Sequence, residues 1–336
     1  MIKVAETPSR HRLSYAAVII ASVLWGSLYP ASKPAVAAVG PLQVVFIRVL
    51  LAALTLGALV VLRGDARNVP RQVRGRWAGI LGLTLVSFSG SSILAMLALQ
   101  YLPASVNGLL NNTHPLWLAI GTALFFAPRR PGLLVLGSVV ALVGVVLIFF
   151  PDLSLSSLAG PAALSPLGVA LSLLGSGVIA SSAVLGRRVM RGGDPILISA
   201  VASGVAVPLM AAVTLANGGF GPILAAPLPI VLLLLHVGIG CTAINFTLWF
   251  YALQRLPAAQ AAAFQYLIPP LGVIFSAVFL GEPLTRGLLV GGVLILAGLL
   301  ATQIATSGRA GPAVREEVRS QKPGVRIGTP SPGAPS

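Results

Sequence analysis

Apolar positions run through this chain in long blocks, and the polar positions gather between them. A hydrocarbon layer of ~30 Å is crossed by about 20 helical residues at 1.5 Å each. Blocks of that length predict ten helices, at 13–32, 42–62, 78–101, 105–127, 133–151, 167–186, 195–216, 229–253, 259–280 and 287–306. Residues 1–12 precede the first and 152–166 join the fifth to the sixth. From 307 to 336 the chain turns to Pro, Gly, Ser and Arg with no periodic apolar face, the composition of a disordered tail.

Two seven-residue stretches, "ALQYLPA" (98–104) and "ALQRLPA" (252–258), agree at six positions. The same offset of 154 carries Lys33 onto Arg187, Pro41 onto Pro195, Gln100 onto Gln254 and Pro115 onto Pro269. One residue later, "GLLV" at 132–135 meets "GLLV" at 287–290. The chain therefore reads as one five-helix unit (13–151) followed by another (167–306). An odd number of crossings makes the second unit enter from the opposite side, the inverted-repeat plan of many secondary transporters. The predicted fold is thus all-α and integral to the membrane: ten transmembrane helices in two inverted five-helix repeats.

Charge orients this plan. With the N-terminus in the cytoplasm, nineteen of the 22 Lys and Arg residues fall in cytoplasmic segments, among them the five between Arg63 and Arg76. Arg286 alone falls in an outer loop, and Lys33 and Arg48 lie in or at the end of helices. The positive-inside rule then places both termini in the cytoplasm of a multi-pass plasma (inner) membrane protein. It also accounts for the odd pair in the repeat: Tyr101 suits the outer interface and Arg255 the inner one. The first 30 residues carry features of a signal peptide, but the run from Leu13 to Pro30 exceeds a signal core, and helix 1 has a partner in helix 6.

Composition excludes several classes. The chain is 56% hydrophobic and 9% charged, which rules out an ordinary soluble surface. The net charge of +15 is spread between apolar blocks, so no nucleic-acid face is expected. The lone Cys241 supports no disulfide or metal site. The motifs GxxxxGK[ST], GxSxG, HExxH and CxxC do not occur. No cofactor, no metal and no catalytic residue is expected.

Polar groups inside spans need a reason. "NNTHP" (111–115) in helix 4 falls on "QYLIP" (265–269) in helix 9, and Pro115 and the pair Pro269–Pro270 each remove a backbone donor. Interrupted helices at matching points of two inverted halves point to a substrate site. Asn111, Asn112, His114, Gln265 and Tyr266 are accordingly candidates for a central cavity, with interhelical bonding as the alternative role of the amides. Trp25 in helix 1 and Asn245 in helix 8 are further candidates. His114 has the chemistry of a proton carrier, and Asn112 and Thr113 are alternative partners for a neutral ring. Lys33 and Arg48 are candidate anion contacts, with snorkelling toward headgroups as their other role. Glu282 is placed to pair with Arg286, His236 has no evident partner, and Ser87–Ser92 makes helix 3 small and hydroxyl-rich. Gly287 and Gly291 form a small-residue face on helix 10 that suits packing within the chain or between two copies.

The stretches "LWGSLYPASK" (Leu24–Lys33), "FIRVLLAAL" (Phe46–Leu54) and "LGEPLT" (Leu280–Thr285) resemble the drug/metabolite transporter superfamily of the EamA type. That resemblance implies ten helices in two halves and the transport of amino acids, metabolites, nucleotide sugars or drugs. The family often has an acidic corner after helix 4; here that corner is "FAPRRPG", without a carboxylate. The expectation is a secondary transporter of small metabolites working by alternating access, an exporter of amino acids or related compounds on the resemblance, with an importer of a small organic solute as the alternative. A different class, an intramembrane lipid-modifying enzyme, would need Ser or Thr beside His114 or His236 as a nucleophile–base pair.

Overall fold

The computed structural model describes residues 8–125, 130–148, 164–256 and 264–306, and these are helical with short connections. The helices are α1 (Pro8–Gly26), α2 (Leu28–Val39), α3 (Pro41–Leu62), α4 (Trp77–Tyr101), α5 (Ala104–Asn111), α6 (His114–Phe125), α7 (Pro131–Ile148), α8 (Pro166–Val189), α9 (Pro195–Ala216), α10 (Leu228–Leu253), α11 (Ile268–Leu280) and α12 (Arg286–Thr306). Proline opens α3, α8 and α9, where its missing N–H would have had no intrahelical partner. Asp194 caps α9 by accepting from the N–H groups of Ile196 (2.8 Å) and Leu197 (3.4 Å).

Eight stretches of the described residues are long and apolar enough to cross a membrane. The fourth and ninth predicted helices are interrupted near their prolines: α5 and α6 are separated at Asn112–Thr113, and α11 starts after a turn at Tyr266–Leu267. The prolines explain both. Pro115 cannot donate to the Asn111 carbonyl, nor Pro269 and Pro270 to those of Gln265 and Tyr266, and each ring crowds the preceding turn. The first span is also interrupted, at Ser27 between α1 and α2, ahead of Pro30, and it runs on to Val39 rather than ending at 32. Both α4 and α10 contain a wide π segment, Thr84–Gly90 and His236–Ile244, and the first lies within the second under the 154-residue shift. The linker 152–166 lies largely outside the described residues, and the N-terminal seven residues and the tail from 307 wholly so.

Small residues set the closest helix pair. A Cβ built on Gly144 of α7 would lie 2.6 Å from the Gly291 carbonyl oxygen of α12, and one on Gly298 would lie 2.5 Å from the Gly137 carbonyl oxygen. The Gly291 face predicted from sequence is thus used inside the chain. The other main pairings include α3 with α9 and with α10, α4 with α8, α1 with α10, and α5 with α11.

The corner between α4 and α5 is held by two charges. The Lys33 ammonium donates to the carbonyls of Leu99 and Leu102 (2.7 Å for the latter), at the negative end of α4. Glu282 accepts from the N–H groups of Ala104 (2.6 Å) and Ser105 (2.9 Å) and from Ser105 Oγ (2.6 Å), at the positive end of α5. Lys33 is therefore committed to backbone carbonyls rather than placed as an anion contact. Glu282 caps a distant helix instead of pairing with Arg286. At the sequence-related corner, Arg255 folds back over its own helix, its guanidinium 3.8 Å from the Tyr251 ring centre and bonded to the Tyr251 carbonyl at 3.0 Å.

Two stability outcomes follow. Glu282→Gln weakens three bonds to one carboxylate and should destabilise by about 1–3 kcal/mol, the range for bonds to a charged group, read as a lower midpoint of thermal unfolding in detergent. Gly144→Val should destabilise by a similar ~1–3 kcal/mol through overpacking against backbone that cannot give way, whereas Gly57→Val, where an added Cβ meets nothing within 4 Å, should leave the midpoint unchanged.

Candidate functional site

Segments that flank the interruptions of three helices pack on one another. A Cβ on Gly26, at the end of α1, would lie 2.7 Å from Leu271 Cβ and 3.4 Å from the Ile268 carbonyl oxygen of α11. Gly108 of α5 faces the Tyr29 ring of α2 at a comparable 3.4 Å. Ser22 Oγ donates to the Phe264 carbonyl at 3.0 Å. Glycine at 26 is what lets α1 and α11 approach so closely.

On the other side of α2 the two π segments bring hydroxyls to Arg48. Its Nε donates to Thr242 Oγ1 (2.9 Å) and its Nη1 to Ser92 Oγ (3.3 Å). The Thr242 hydroxyl passes its own proton to the Val237 carbonyl five residues back (2.9 Å), a reach the π geometry creates. Arg48 lies deep in the bundle and within electrostatic reach of Tyr29 and Cys241, yet it is part-exposed, so it borders internal space. Each carboxylate among the described residues is engaged elsewhere: Asp65 with Asn68, Asp194 at α9, Glu282 at α5. Arg48 is thus held by hydroxyls from two other helices.

Beside Arg48, Ser27 Oγ lies 2.8 Å from His236 Nε2, and Cys241 Sγ lies 3.4 Å from the same nitrogen. Ser27 at the α1–α2 break is the partner His236 lacked in the sequence. The Ser27 hydroxyl also has the Leu24 carbonyl at 2.9 Å to donate to. The one hydroxyl hydrogen of Ser27 goes either to the Leu24 carbonyl, with Nε2 donating, or to Nε2 as acceptor, and the tautomer of His236 sets which. Trp25 packs on Phe246 and Trp249, with ring centroids 6.1 and 5.6 Å apart, and Phe246 also meets Phe88 at 6.0 Å.

The remaining candidates lie apart from this cluster. Asn111, fully enclosed, donates to Ser172 Oγ of α8 at 3.2 Å, and Thr113 meets Ser176 Oγ at 3.0 Å, which is bonding between helices. Asn112 donates back to the Gly108 carbonyl (2.7 Å), and His114 Nδ1 lies 3.4 Å from the Asn111 carbonyl that Pro115 leaves unpaired. Tyr266 OH contacts Gln303 Oε1 and the Leu299 carbonyl of α12, and Gln265 beside it is half-buried. Asn245 is enclosed and donates to the Ala21 carbonyl at 3.2 Å; its Oδ1 accepts no bond among the described residues. An apolar groove of about 640 Å³ between α3 and α10, lined by residues such as Leu54, Leu62 and Leu248, opens on the outer surface of the bundle and is separate from this cluster.

A polar centre built at helix breaks inside an apolar bundle defines a membrane transporter. The EamA-like transporter family model matches twice, over residues 12–150 and 166–303, and the chain belongs to that family. It is similar to a probable terminal-alkyne amino-acid exporter of Streptantibioticus cattleyicolor, 27% identical over 302 residues, 87% of this chain and 94% of that one. It is also similar to an uncharacterized transporter of Archaeoglobus fulgidus, 26% identical over 283 residues, 83% and 93% of the two chains. One solved crystal structure shares the fold, with a TM-score of 0.57, 20% identity, and 90% of this chain and 98% of that chain covered. The chain is a multi-pass integral membrane protein.

Thr242→Val would leave Arg48 Nε without its acceptor in a buried setting. It should destabilise by about 1–3 kcal/mol, measured by thermal unfolding in detergent, whereas Thr247→Val on the lipid-side groove should cost less.

Proposed function

We propose that the chain is a secondary transporter that exports amino acids or related small metabolites across the plasma membrane, not an enzyme. It works by alternating access between two inverted five-helix halves, 13–151 and 167–306, with N- and C-termini in the cytoplasm. The observation that carries the reading is the polar cluster at the α1–α2 break: Ser27, His236 and the part-exposed Arg48, with the two π segments supplying their partners, in the interior of an apolar bundle. Irregular backbone at membrane depth is tolerated where it lines protein or a wet cavity, and paired irregularities mark transporter sites.

Several findings support two related halves. The family model matches each half. The π segments coincide under the 154-residue shift, as do the turns at Asn112–Thr113 and Tyr266–Leu267. The pairings also map onto one another under exchange of halves: α3 with α9 and α7 with α12 onto themselves, and α1 with α10 onto α8 with α4. Export of amino-acid-like compounds is favoured by the similar Streptantibioticus cattleyicolor protein, whose name assigns it that role. Transport needs no covalent step, and the Ser27 hydroxyl has the Leu24 carbonyl as well as His236 for a partner.

Untargeted mass spectrometry of the medium from cells overproducing the chain tests this reading. A small set of amino-acid-like compounds should accumulate outside severalfold, and Trp25→Ala, at the edge of the cluster, should reduce that accumulation. An unchanged medium with the protein well inserted would overturn export. Orientation has its own test: alkaline phosphatase fused after Arg74 should be inactive, and fused after Gly218 it should be active.

A further inference from the structure

We infer that Arg48 is the anchor for a single carboxylate on the transported molecule, and that the aromatic layer beside it holds the molecule's apolar body. The site therefore takes small monocarboxylates, including zwitterions, and not dianions or phosphate esters. This rests on the transporter reading above and narrows its substrate class.

Charge balance is the starting point. Arg48 stays charged in any protein environment. A charge at this depth is costly unless it is paired, and every carboxylate among the described residues is engaged elsewhere. The two hydroxyls that receive Arg48 are neutral and orient the guanidinium without offsetting its charge.

Geometry supplies the second argument. Guanidinium has five N–H donors in a planar fork that matches carboxylate oxygens two at a time. Nε and one Nη1 donor are held by Thr242 and Ser92. The Nη2 side has no acceptor among the described residues and is not among the sealed, unpaired buried atoms. It faces the internal space that makes Arg48 part-exposed.

The number of cations sets the charge of the ligand. Among the described residues the other lysine or arginine in the interior of a span, Lys33, is held by the Leu99 and Leu102 carbonyls. One available cation balances one negative charge. A second carboxylate or a phosphate dianion would enter uncompensated.

The layer next to Arg48 sets the body. Phe246 lies one turn from Thr242, and Phe88 one turn from Ser92, each toward the end of its helix where Trp25 and Trp249 also pack. A carboxylate on Arg48 therefore directs the rest of the molecule over aromatic faces. Those faces accept an apolar group, or an ammonium by cation–π contact.

The probe is 3-phenylpropanoate, compared with its neutral amide 3-phenylpropanamide, the dianion phenylsuccinate, and chloride. Thermal unfolding of the purified full-length chain is followed in potassium sulfate as each is added. The monocarboxylate should raise the midpoint, and the amide and the dianion should not. Arg48→Gln should weaken the apparent affinity for 3-phenylpropanoate at least tenfold, and Arg48→Lys, which keeps the charge but loses the fork, by less. Should Arg48→Gln fail to fold, Thr242→Val keeps the guanidinium, removes its positioning hydroxyl, and should weaken binding severalfold.

Equal effects of acid and amide, no effect of the monocarboxylate, or unchanged affinity in the variants would overturn the proposal. So would a full shift from chloride with nothing added by the monocarboxylate, which would make Arg48 the seat of an inorganic counter-ion. Export that persists in Arg48→Gln cells would sink the anchor and leave the transporter standing. Monocarboxylate binding at Arg48 without any export by the unaltered chain would do the reverse.

Discussion

In hydrocarbon no water is present to complete a hydrogen bond, so each backbone N–H and C=O must find its partner within the protein. Continuous helices meet this demand automatically, and most of this chain consists of them. The places where they cannot are few: the breaks at Ser27, Asn112–Thr113 and Tyr266–Leu267, and the π segments Thr84–Gly90 and His236–Ile244. Side chains at these places serve the backbone directly. Thr113 Oγ1 bonds the Leu110 carbonyl at 2.7 Å, Ser27 Oγ the Leu24 carbonyl at 2.9 Å, and Thr242 Oγ1 the Val237 carbonyl. The polar residues of the interior are therefore first a solution to a backbone problem, and a binding centre becomes available where several such solutions adjoin.

The corner between α4 and α5 obeys the same rule with full charges. A helix end exposes carbonyls, the next helix start exposes amides, and one lysine and one glutamate from other helices complete them. These contacts join the first, third, fourth and ninth predicted spans at one end of the bundle. The glycine-lined contact of α7 with α12 does comparable work by shape alone, because in lipid close packing rather than water exclusion holds helices together.

Much of this was legible in the sequence. Block length marked the eight described spans, the first of them seven residues short at its end, and Pro115 and Pro269 marked the interruptions. Arg48 stood out because no acid lies in any predicted span. Asn111 shows the limit of such reading: an amide in a span is called for equally by a cavity and by a neighbouring helix, and only the positions of Ser172 and Ser176 on α8 distinguish the two. Ser27 and Thr242 carry no signal in the sequence, and Cys241 reads there only as a lone thiol, because small hydroxyl and thiol groups are common packing residues and their role depends on a helix break and a π turn that leave no periodic trace. Glu282 was misjudged for a related reason. Sequence offered Arg286 four residues away, whereas its actual partners, Ala104 and Ser105, are brought near only by the fold.

One of these small groups makes the centre chemically addressable. The chain has a single cysteine, and Cys241 is fully enclosed, with Ser27, His236 and the Arg48 partner Thr242 around it. Alkylation of this thiol must wait for the bundle to open, so its rate reads the opening directly. Maleimides that cannot cross the bilayer, supplied to one face or the other, would tell which way the centre opens, and no cysteine-free background has to be built first.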